Sequence, residues 1–250
     1  MLEPITPVEC AGLIAKSRRV AALTGAGVST AAGIPDFRGP AGLYTTRKYD
    51  PDTVFDLAFF FRNPQPFYDF TRDLFSALAS LTPTFTHFFL RALEGTGKLT
   101  GVVTQNIDPL HQQAGSKSLI CVHGNYFTSH CHACGAEVSL AQLQELVAAR
   151  PVPYCACGGL IKPDVVFFGE AVARMDEAAE LVRGCDLLLA LGSSLAVYPA
   201  GGLPNLARQV VVVNQGAVSL RPGPGRWQSQ QALDDFFRAV AAELALPVGA

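Results

Sequence analysis

The sequence has little charge and no long apolar run. Only 16% of its 250 residues are charged, and 19 Lys and Arg against 21 Asp and Glu leave a net charge of −2. Proteins that bind nucleic acid or membrane surfaces usually carry a basic excess, so this balance supports neither partner. No apolar stretch reaches the roughly 18 residues of a membrane span. Because 49% of the residues are apolar, we expect a folded chain with a substantial core.

The N-terminus also lacks the features of a targeting segment. Residues 1–16 show no charged start, apolar middle and small-residue cleavage site, and no arginine enrichment. We therefore expect a cytoplasmic protein, with a removed presequence left open, that is a monomer or weak oligomer.

Cysteine is present in an odd number, and four of the seven residues form two tight pairs. The paired residues are Cys131, Cys134, Cys155 and Cys157. Four thiolates at this spacing suit a closed tetrahedral Zn²⁺ site, which stabilises a fold and does no chemistry. Two alternatives stay open: His130 or His132 could replace a cysteine ligand, or the four thiols could carry no metal.

Short apolar segments alternate with amphipathic ones along most of the chain. The predicted strands cover 19–24, 99–104, 118–122, 186–191 and 210–214, and helices are predicted over 8–16, 29–33, 83–94 and 229–244. This alternation indicates an α/β fold with a Rossmann-like, doubly wound parallel sheet. An aromatic-rich helical segment and the cysteine-rich segment interrupt it, and we expect these two insertions to form a smaller helical and zinc-binding domain.

The expected boundaries follow from these interruptions. The Rossmann-like domain would comprise residues 1–44, 85–123 and 163–250, the helical insertion residues 45–84, and the zinc-binding module residues 124–162.

A glycine turn follows the first predicted strand. Gly25-Ala26-Gly27 places backbone N–H groups before a predicted helix, where a diphosphate can bind. The motif is weak by itself, because Thr30 occupies the place of the third glycine of a dinucleotide fingerprint and no distal acid follows. A hydride-transfer dehydrogenase is therefore disfavoured, and a plain tight turn stays open.

Polar side chains follow two further predicted strands. Gln105, Asn106 and Asp108 come after the second strand, and His123 comes after the third. Ligands of open α/β sheets bind at the carboxyl ends of strands, so these residues are candidates for a site. We expect His111 on the surface, which leaves His123 as the histidine placed to accept a proton near neutral pH.

Further motifs continue the glycine turn in a characteristic order. Residues 25–39 read GAGVSTAAGIPDFRG, and they are followed by TQNID at 104–108, His123-Gly124, the two cysteine pairs, KPDVVFFGE at 162–170, GSSL at 192–195 and VVVN at 211–214. In this order the motifs resemble those of the sirtuin (Sir2) family of NAD-dependent protein deacylases.

The resemblance implies an NAD-dependent protein-lysine deacetylase with a structural Zn²⁺ and an acetylated protein or peptide as substrate. In this reaction the acyl oxygen attacks the NAD ribose and nicotinamide leaves. His123 then acts as general base on a ribose hydroxyl, and the products are free lysine and O-acetyl-ADP-ribose. The implied catalytic residues are His123, Asn106 and Asp108.

The resemblance also implies two sets of binding residues. The implied NAD contacts are Gly25, Ala26, Gly27, Asp36, Phe37, Arg38, Tyr44, Gln105, Asn106, Ile107, Asp108, Gly192, Ser193, Ser194, Asn214, Gln215 and Gly216. The implied peptide contacts are Val165, Phe167, Gly169, Glu170, Leu195 and Val197. They belong to two segments that pair with an extended peptide through the main chain.

Three departures from the family pattern bear on function. The second cysteine pair is C-x-C instead of C-x-x-C. The tail after Gly216 lacks the Gly-Asp segment that contacts adenine, so reduced NAD affinity is expected. Desuccinylating sirtuins carry Tyr-x-x-Arg, whereas Tyr68 is followed at that spacing by Thr71, with Arg72 one place further. This argues for acetyl or longer apolar acyl groups over acidic ones.

Two other functions stay open at this point. A mono-ADP-ribosyltransferase would use the same nicotinamide cleavage with a different acceptor. A binding module would hold NAD or an acyl-peptide with weak catalysis or none.

Overall fold

The computed structural model describes residues 2–34, 49–78 and 81–249. The chain forms two compact units. The first comprises Met1–Ile34, Thr82–Val122 and Arg174–Ala250, and the second comprises Pro35–Leu81 and His123–Ala173. The second unit therefore consists of two insertions into the first. The domain boundaries expected from the sequence stay a prediction.

The described residues contain ten strands and nine α-helices. The strands are β1 (Glu3–Pro4), β2 (Val20–Thr24), β3 (Leu99–Thr104), β4 (Leu119–Cys121), β5 (Gly124–Cys131), β6 (Glu137–Ser139), β7 (Ile161–Val165), β8 (Leu187–Leu191), β9 (Val210–Val213) and β10 (Arg226–Ser229). The helices are α1 (Pro7–Lys16), α2 (Pro51–Val54), α3 (Leu57–Arg62), α4 (Gln65–Leu78), α5 (Phe85–Gly95), α6 (Leu110–Gln113), α7 (Leu140–Ala149), α8 (Met175–Gly184) and α9 (Leu233–Glu243). Among the described helices, none is both long and apolar enough to cross a bilayer.

Seven strands form the sheet of the first unit, in the order β1-β10-β9-β8-β2-β3-β4. Every pair in it is parallel. The chain adds β3 and β4 on one side of β2, and then β8, β9 and β10 on the other, so the direction of winding reverses between β2 and β8. Doubly wound sheets bind ligands beyond the carboxyl ends of the strands at such a reversal. The topology alone therefore places a candidate site beyond β2 and β8.

The central strands are apolar along their whole length because helices cover both faces of a parallel sheet. Every residue of β2, β8 and β9 is buried. Helices α1, α5 and α9 contribute Ile14, Phe89 and Phe237 to the same core. The rings of Phe89 and Phe237 lie 4.6 Å apart between centroids. The predicted α/β class with a Rossmann-like sheet is confirmed.

Two elements differ from the sequence prediction. The last helix begins at Leu233, because Arg226–Ser229 form β10 alongside β9. These four residues lack an apolar run, so tertiary pairing decides their conformation. Residues 29–33 contain only a 3₁₀ turn over Thr30–Ala32, and Gly33, at φ 100°, ends it in the left-handed conformation.

The second unit has a three-stranded antiparallel sheet in the order β6-β5-β7. An aromatic cluster is formed by residues of α3 and α4, by Phe55 between α2 and α3, and by Phe167 after β7. Phe55, Phe60, Phe67 and Phe167 are all buried, and the centroid of Phe67 lies 4.9 Å from that of Phe167 and 5.9 Å from that of Phe55. Aromatic packing of this kind gives a small unit much buried area from few residues.

Candidate active site

The glycine turn lies at the carboxyl end of β2, packed against the residues that follow β8. The amide of Gly25 donates to the carbonyl of Leu191, and that of Gly27 donates to the carbonyl of Gly192, both at 2.9 Å. A Cβ on Gly27 would lie 2.6 Å from the Cα of Gly192, and a Cβ on Gly192 would lie 2.5 Å from the nitrogen of Val28. Neither position admits a side chain. Two main-chain segments therefore form a surface that a diphosphate can approach closely.

The residues after β3 and β8 are joined by side-chain hydrogen bonds. The amide Nε2 of Gln105 donates to the hydroxyl of Ser193 at 3.1 Å. The same hydroxyl accepts from the amide of Leu195 at 3.2 Å. The carbonyl of Ser194 accepts from the amide of Ser219 at 2.8 Å. Gln105, Ser193 and Ser194, separated in sequence, thus lie along one end of the sheet.

Asn106 and Asp108 are connected through a hydroxyl that the sequence analysis did not select. Ser29 Oγ donates to Asp108 Oδ2 at 2.9 Å and accepts from Asn106 Nδ2 at 3.2 Å. The amide of Leu110 donates to Asp108 Oδ1 at 3.0 Å. Asn106 and Asp108 are only 7% and 8% exposed. Burial raises the pKa of the Asp108 carboxyl, and its hydrogen bonds to Leu110, Ser29 and Asn106 partly oppose that shift.

A buried histidine pair supports both ends of the glycine turn, and the expected surface position of His111 is wrong. His111 is 1% exposed, and its Nε2 lies 2.9 Å from Thr24 Oγ1. The centroid of His87 lies 4.6 Å from that of His111. The amide of Thr84 donates to His87 Nδ1 at 3.2 Å, and the Thr84 hydroxyl donates to the carbonyl of Val28 at 3.0 Å. Burial lowers the pKa of His87 to about 4 and that of His111 well below its usual range, so both rings are neutral at pH 7.

The remaining predicted NAD contacts fall into three groups. Asn214, Gln215 and Gly216 follow β9, Ala26 and Ile107 lie in the glycine turn and after β3, and four residues lie outside the described part of the chain. Asn214 Nδ2 donates to the carbonyl of Gly216 at 3.1 Å, and Gln228 Nε2 donates to the same carbonyl at 3.2 Å. Gln215 is exposed in this turn. Ala26 and Ile107 are half-buried. The residues outside the described part of the chain are Asp36, Phe37, Arg38 and Tyr44.

His123 lies immediately before β5 in the second unit, and its imidazole is half-buried. Its carbonyl accepts from the amide of Val166 at 2.9 Å. The next residue, Gly124, pairs with Val165 and has φ 72°. A Cβ on Gly124 would lie 1.8 Å from the carbonyl oxygen of Asp164, so only glycine fits there. This close approach fixes the main chain that carries the imidazole.

The segment after β7 forms main-chain hydrogen bonds with residues 55–57. The amide of Phe168 donates to the carbonyl of Phe55 at 2.7 Å, and the amide of Leu57 donates to the carbonyl of Phe168 at 3.1 Å. Phe167 places its ring in the aromatic cluster, and Gly169 has φ 100°. Glu170 Oε2 accepts from the amide of Phe167 at 2.8 Å.

The other two predicted peptide contacts belong to the first unit. Leu195 is buried and has φ 57°, and Val197 is half-buried. The carbonyl of Val197 accepts from the amide of Gly201 at 2.7 Å.

The four paired cysteines form one cluster. Their sulfur atoms all lie within 4.8 Å of one another. The Sγ–Sγ distance is 3.5 Å from Cys131 to Cys157 and 3.8 Å from Cys134 to Cys155. A tetrahedral site with Zn–S bonds of about 2.3 Å has edges of about 3.8 Å. The donor set therefore fits zinc, and the shorter C-x-C spacing does not prevent it.

The two histidines beside the first cysteine pair lie outside this cluster. His130 Nδ1 lies 2.8 Å from Asp164 Oδ1, and the ring of His132 lies 4.4 Å from that of Phe61. Both imidazoles thus have other contacts, and the four-cysteine ligand set is the one that the geometry supports.

Comparison with known proteins identifies the family. The family model described as "Sir2 family" matches residues 25–199. The chain belongs to the Sir2 family. A relative in Pyrobaculum aerophilum, named NAD-dependent protein deacetylase 1, is 44% identical over 214 residues, which are 82% of each chain.

Solved Sir2 structures resemble this sirtuin over almost their full length. One is described as Sir2 with a p53 peptide and NAD⁺; it is 36% identical, with a TM-score of 0.86, over 96% of this chain and 98% of that one. Another is described as Sir2 bound to acetylated peptide; it is 34% identical, with a TM-score of 0.86, over 97% of this chain and 100% of that one.

The cysteine cluster of this sirtuin predicts a zinc content that can be measured. We expect about one zinc per purified chain, and Cys157→Ser should remove most of it and expose the second unit to proteolysis, since metal binding is coupled to folding. Elemental analysis and limited proteolysis measure both effects. Cys121→Ser, outside the cluster, is the control and should keep its zinc. A folded, protease-resistant protein without zinc would contradict the prediction.

The packing of the glycine turn predicts opposite effects for two Gly→Ala substitutions. Gly27→Ala should destabilise the fold by about 1–3 kcal/mol, because its methyl group collides with the Gly192 main chain. Gly12 lies within α1, where an added methyl group would meet no atom within 4 Å, so Gly12→Ala should stabilise by about 0.5–1 kcal/mol. Denaturant unfolding measures both. Equal changes in the free energy of unfolding for the two substitutions would contradict the close contact between Gly27 and the Gly192 main chain.

Proposed function

We propose that this sirtuin is an NAD-dependent protein-lysine deacetylase, with NAD as co-substrate, Zn²⁺ as a structural metal and acetylated proteins or peptides as substrates. The observation that carries the proposal is the buried network of Asn106, Ser29 and Asp108 beside the glycine surface. The similar proteins named as deacetylases, and the related complexes with NAD⁺ and acetylated peptide, support the same activity.

The diphosphate of NAD is assigned to the surface of the glycine turn at Gly25, Ala26 and Gly27, where the amides of Gly25 and Gly27 are hydrogen-bonded to the carbonyls of Leu191 and Gly192. The absence of a Cβ at Gly25 and Gly27 lets this turn pack directly against Gly192 and Ser193, and a turn that precedes a helical segment favours a bound anion. Ser193 is assigned to the diphosphate as well, and Gln105 to the ribose, because their side chains contact each other at the same end of the sheet.

The nicotinamide amide is assigned to Asn106 and Asp108. A carboxamide offers both donors and an acceptor, and a carboxylate beside a side-chain amide can complement it. Ser29 and the amide of Leu110 hold the Asp108 carboxyl in one orientation. Because these groups are ordered before the ligand binds, little reorganisation is needed as nicotinamide leaves.

His123 is assigned as the general base. The acyl oxygen attacks the ribose carbon that loses nicotinamide. The imidazole then takes a proton from a ribose hydroxyl, whose oxygen attacks the imidate carbon, and water completes the release of lysine and O-acetyl-ADP-ribose. The fixed main chain at Gly124 and Val166 limits where this imidazole can lie, as proton transfer requires hydrogen-bond distance.

The acyl group is proposed to be neutral. Thr71 stands where desuccinylating sirtuins have arginine, and it is fully buried with its hydroxyl 3.2 Å from the Tyr126 hydroxyl. Arg72 instead pairs with Asp69 and donates to the carbonyl of Pro151 at 3.0 Å. Tyr68 donates to the carbonyl of Ile161. An acidic acyl group would therefore meet no arginine from this motif, and burying an unpaired charge is costly.

A finer set of expectations stays at the level of prediction. These are a cytoplasmic location, a monomeric or weakly oligomeric state, and reduced NAD affinity caused by the divergent tail. Peptide contacts at Val165, Phe167, Gly169, Glu170, Leu195 and Val197 also stay predictions.

Substituting His123 separates the two chemical steps. His123→Ala should abolish release of free lysine but keep part of the exchange of labelled nicotinamide into NAD, because nicotinamide cleavage needs no general base. Chromatography of nicotinamide and mass spectrometry of an acetyl-lysine peptide measure the two activities. His132→Ala, with its zinc content checked, is the control and should retain both.

Three outcomes would overturn the proposal. ADP-ribosylated protein without free lysine would indicate a transferase, and ligand binding without nicotinamide release would indicate a binding module. Full deacetylation by the His123→Ala variant would show that His123 is not the general base.

Acyl selectivity gives a further prediction. The kcat/KM for an acetyl-lysine peptide should exceed that for the succinyl-lysine peptide by about 100-fold or more, as expected from burying an unpaired carboxylate. A propionyl-lysine peptide is the neutral control and should react within about tenfold of the acetyl peptide. Equal or faster turnover of the succinyl peptide would refute this assignment.

A further inference from the structure

The side chain of Lys162 lies inside the turn that follows β7. Its side chain is 13% exposed. The ammonium Nζ donates to the carbonyl of Val165 at 2.8 Å, to that of Pro163 at 3.3 Å, and to Glu170 Oε2 at 2.9 Å. It also lies 4.2 Å from the centroid of the Phe167 ring. One cation thus contacts four positions of the segment 163–170.

Glu170 completes this arrangement from the far end of the turn. Its Oε2 accepts from both Lys162 Nζ and the amide of Phe167. The carboxyl side chain is 28% exposed, so the ion pair is partly removed from solvent. Charge-assisted hydrogen bonds are stronger than neutral ones and restrict geometry more. The pair therefore fixes the backbone on both sides of Phe167.

The same segment holds the main chain at His123. Val166 donates to the carbonyl of His123, and Gly124 pairs with Val165 across the ladder. Lys162 donates to the carbonyl of Val165, the last residue of the same strand, β7. A change at the ammonium would thus reach His123 through two hydrogen-bonded neighbours, without Lys162 touching the imidazole.

We infer that Lys162 and Glu170 are a pair of positioning residues that set the main chain of His123 and of the peptide-pairing segment 165–169. The inference rests on the proposed function, because it concerns the same base and the same substrate. Glu170 Oε2 accepts from Lys162 and from the Phe167 amide, and the sequence-based assignment of Glu170 as a peptide contact stays a prediction.

The first test replaces the cation with an uncharged side chain of similar length. Lys162→Met should raise the KM for an acetyl-lysine peptide about tenfold, the cost of misplacing roughly one charge-assisted contact, while the KM for NAD stays within about twofold. At saturating peptide, deacetylation should fall more than nicotinamide exchange, because only deacetylation needs the His123 base. Lys162→Arg should restore part of both activities, since it keeps the positive charge, while its larger planar head group reproduces only some of the contacts.

The second test asks whether the two residues act as a unit. Glu170→Gln should shift the same parameters in the same direction, and the double variant Lys162→Met with Glu170→Gln should be no worse than the more impaired single variant. Binding of a fluorescent acetyl-lysine peptide without NAD, followed by anisotropy, reports on the segment independently of catalysis. Lys117→Met, an exposed lysine in the first unit, is the matched control and should behave as wild type.

Zinc content and melting temperature show whether the variants are folded, and the wild-type assay shows whether the proposed function holds. With an active wild type, the inference is overturned if Lys162→Met leaves peptide KM, peptide binding and the exchange-to-deacetylation ratio unchanged. It is equally overturned if the KM for NAD rises in parallel with that for peptide, or if Lys162→Arg is as impaired as Lys162→Met. An inactive wild type would instead overturn the proposed function.

Discussion

Contact between two main-chain turns determines the arrangement of the first unit's candidate site. Gly27 and Gly192 approach so closely that a methyl group on either would collide with the other segment. This approach is available because β2 and β8 are adjacent parallel strands that end together, with Thr24 paired to Leu191. The turns that follow must share one space, and only glycine permits it. The two turns therefore present main chain, with few side chains, at the carboxyl end of the sheet.

Around this contact, Ser29, Asn106 and Asp108 are buried and hydrogen-bonded, whereas His87 Nε2 and His111 Nδ1 are buried without a hydrogen-bond partner among the described residues. The hydroxyl of Ser29 connects Asn106 with Asp108, and the neutral histidines contact Thr24 and, through Thr84, Val28. Paired polar groups in a low-dielectric interior favour one geometry, whereas each unpaired buried nitrogen is costly. The hydrogen bonds that offset the cost of burying these polar side chains therefore also order the site.

The second unit is small and depends on local cross-links. Four clustered thiols and a set of packed aromatic rings join segments that are distant in sequence, and the Lys162–Glu170 pair joins the two ends of one turn. The zinc site and the polar contacts add to the stability that the aromatic core of this unit provides. We connect this rigidity with function, because His123 and the segment 165–169 are carried on the same scaffold.

Local sequence determined which segments are buried strands, which cysteines cluster and which motifs mark the family, because apolar runs, ligand spacing and glycine turns act over a few residues. Only the tertiary structure decided that Ser29 bridges Asn106 and Asp108, that His111 is buried against Thr24, that Arg226–Ser229 form a strand, and that Glu170 faces Lys162. Most of these contacts join residues far apart in the chain. They depend on the order of strands and the packing of turns, which no local pattern encodes.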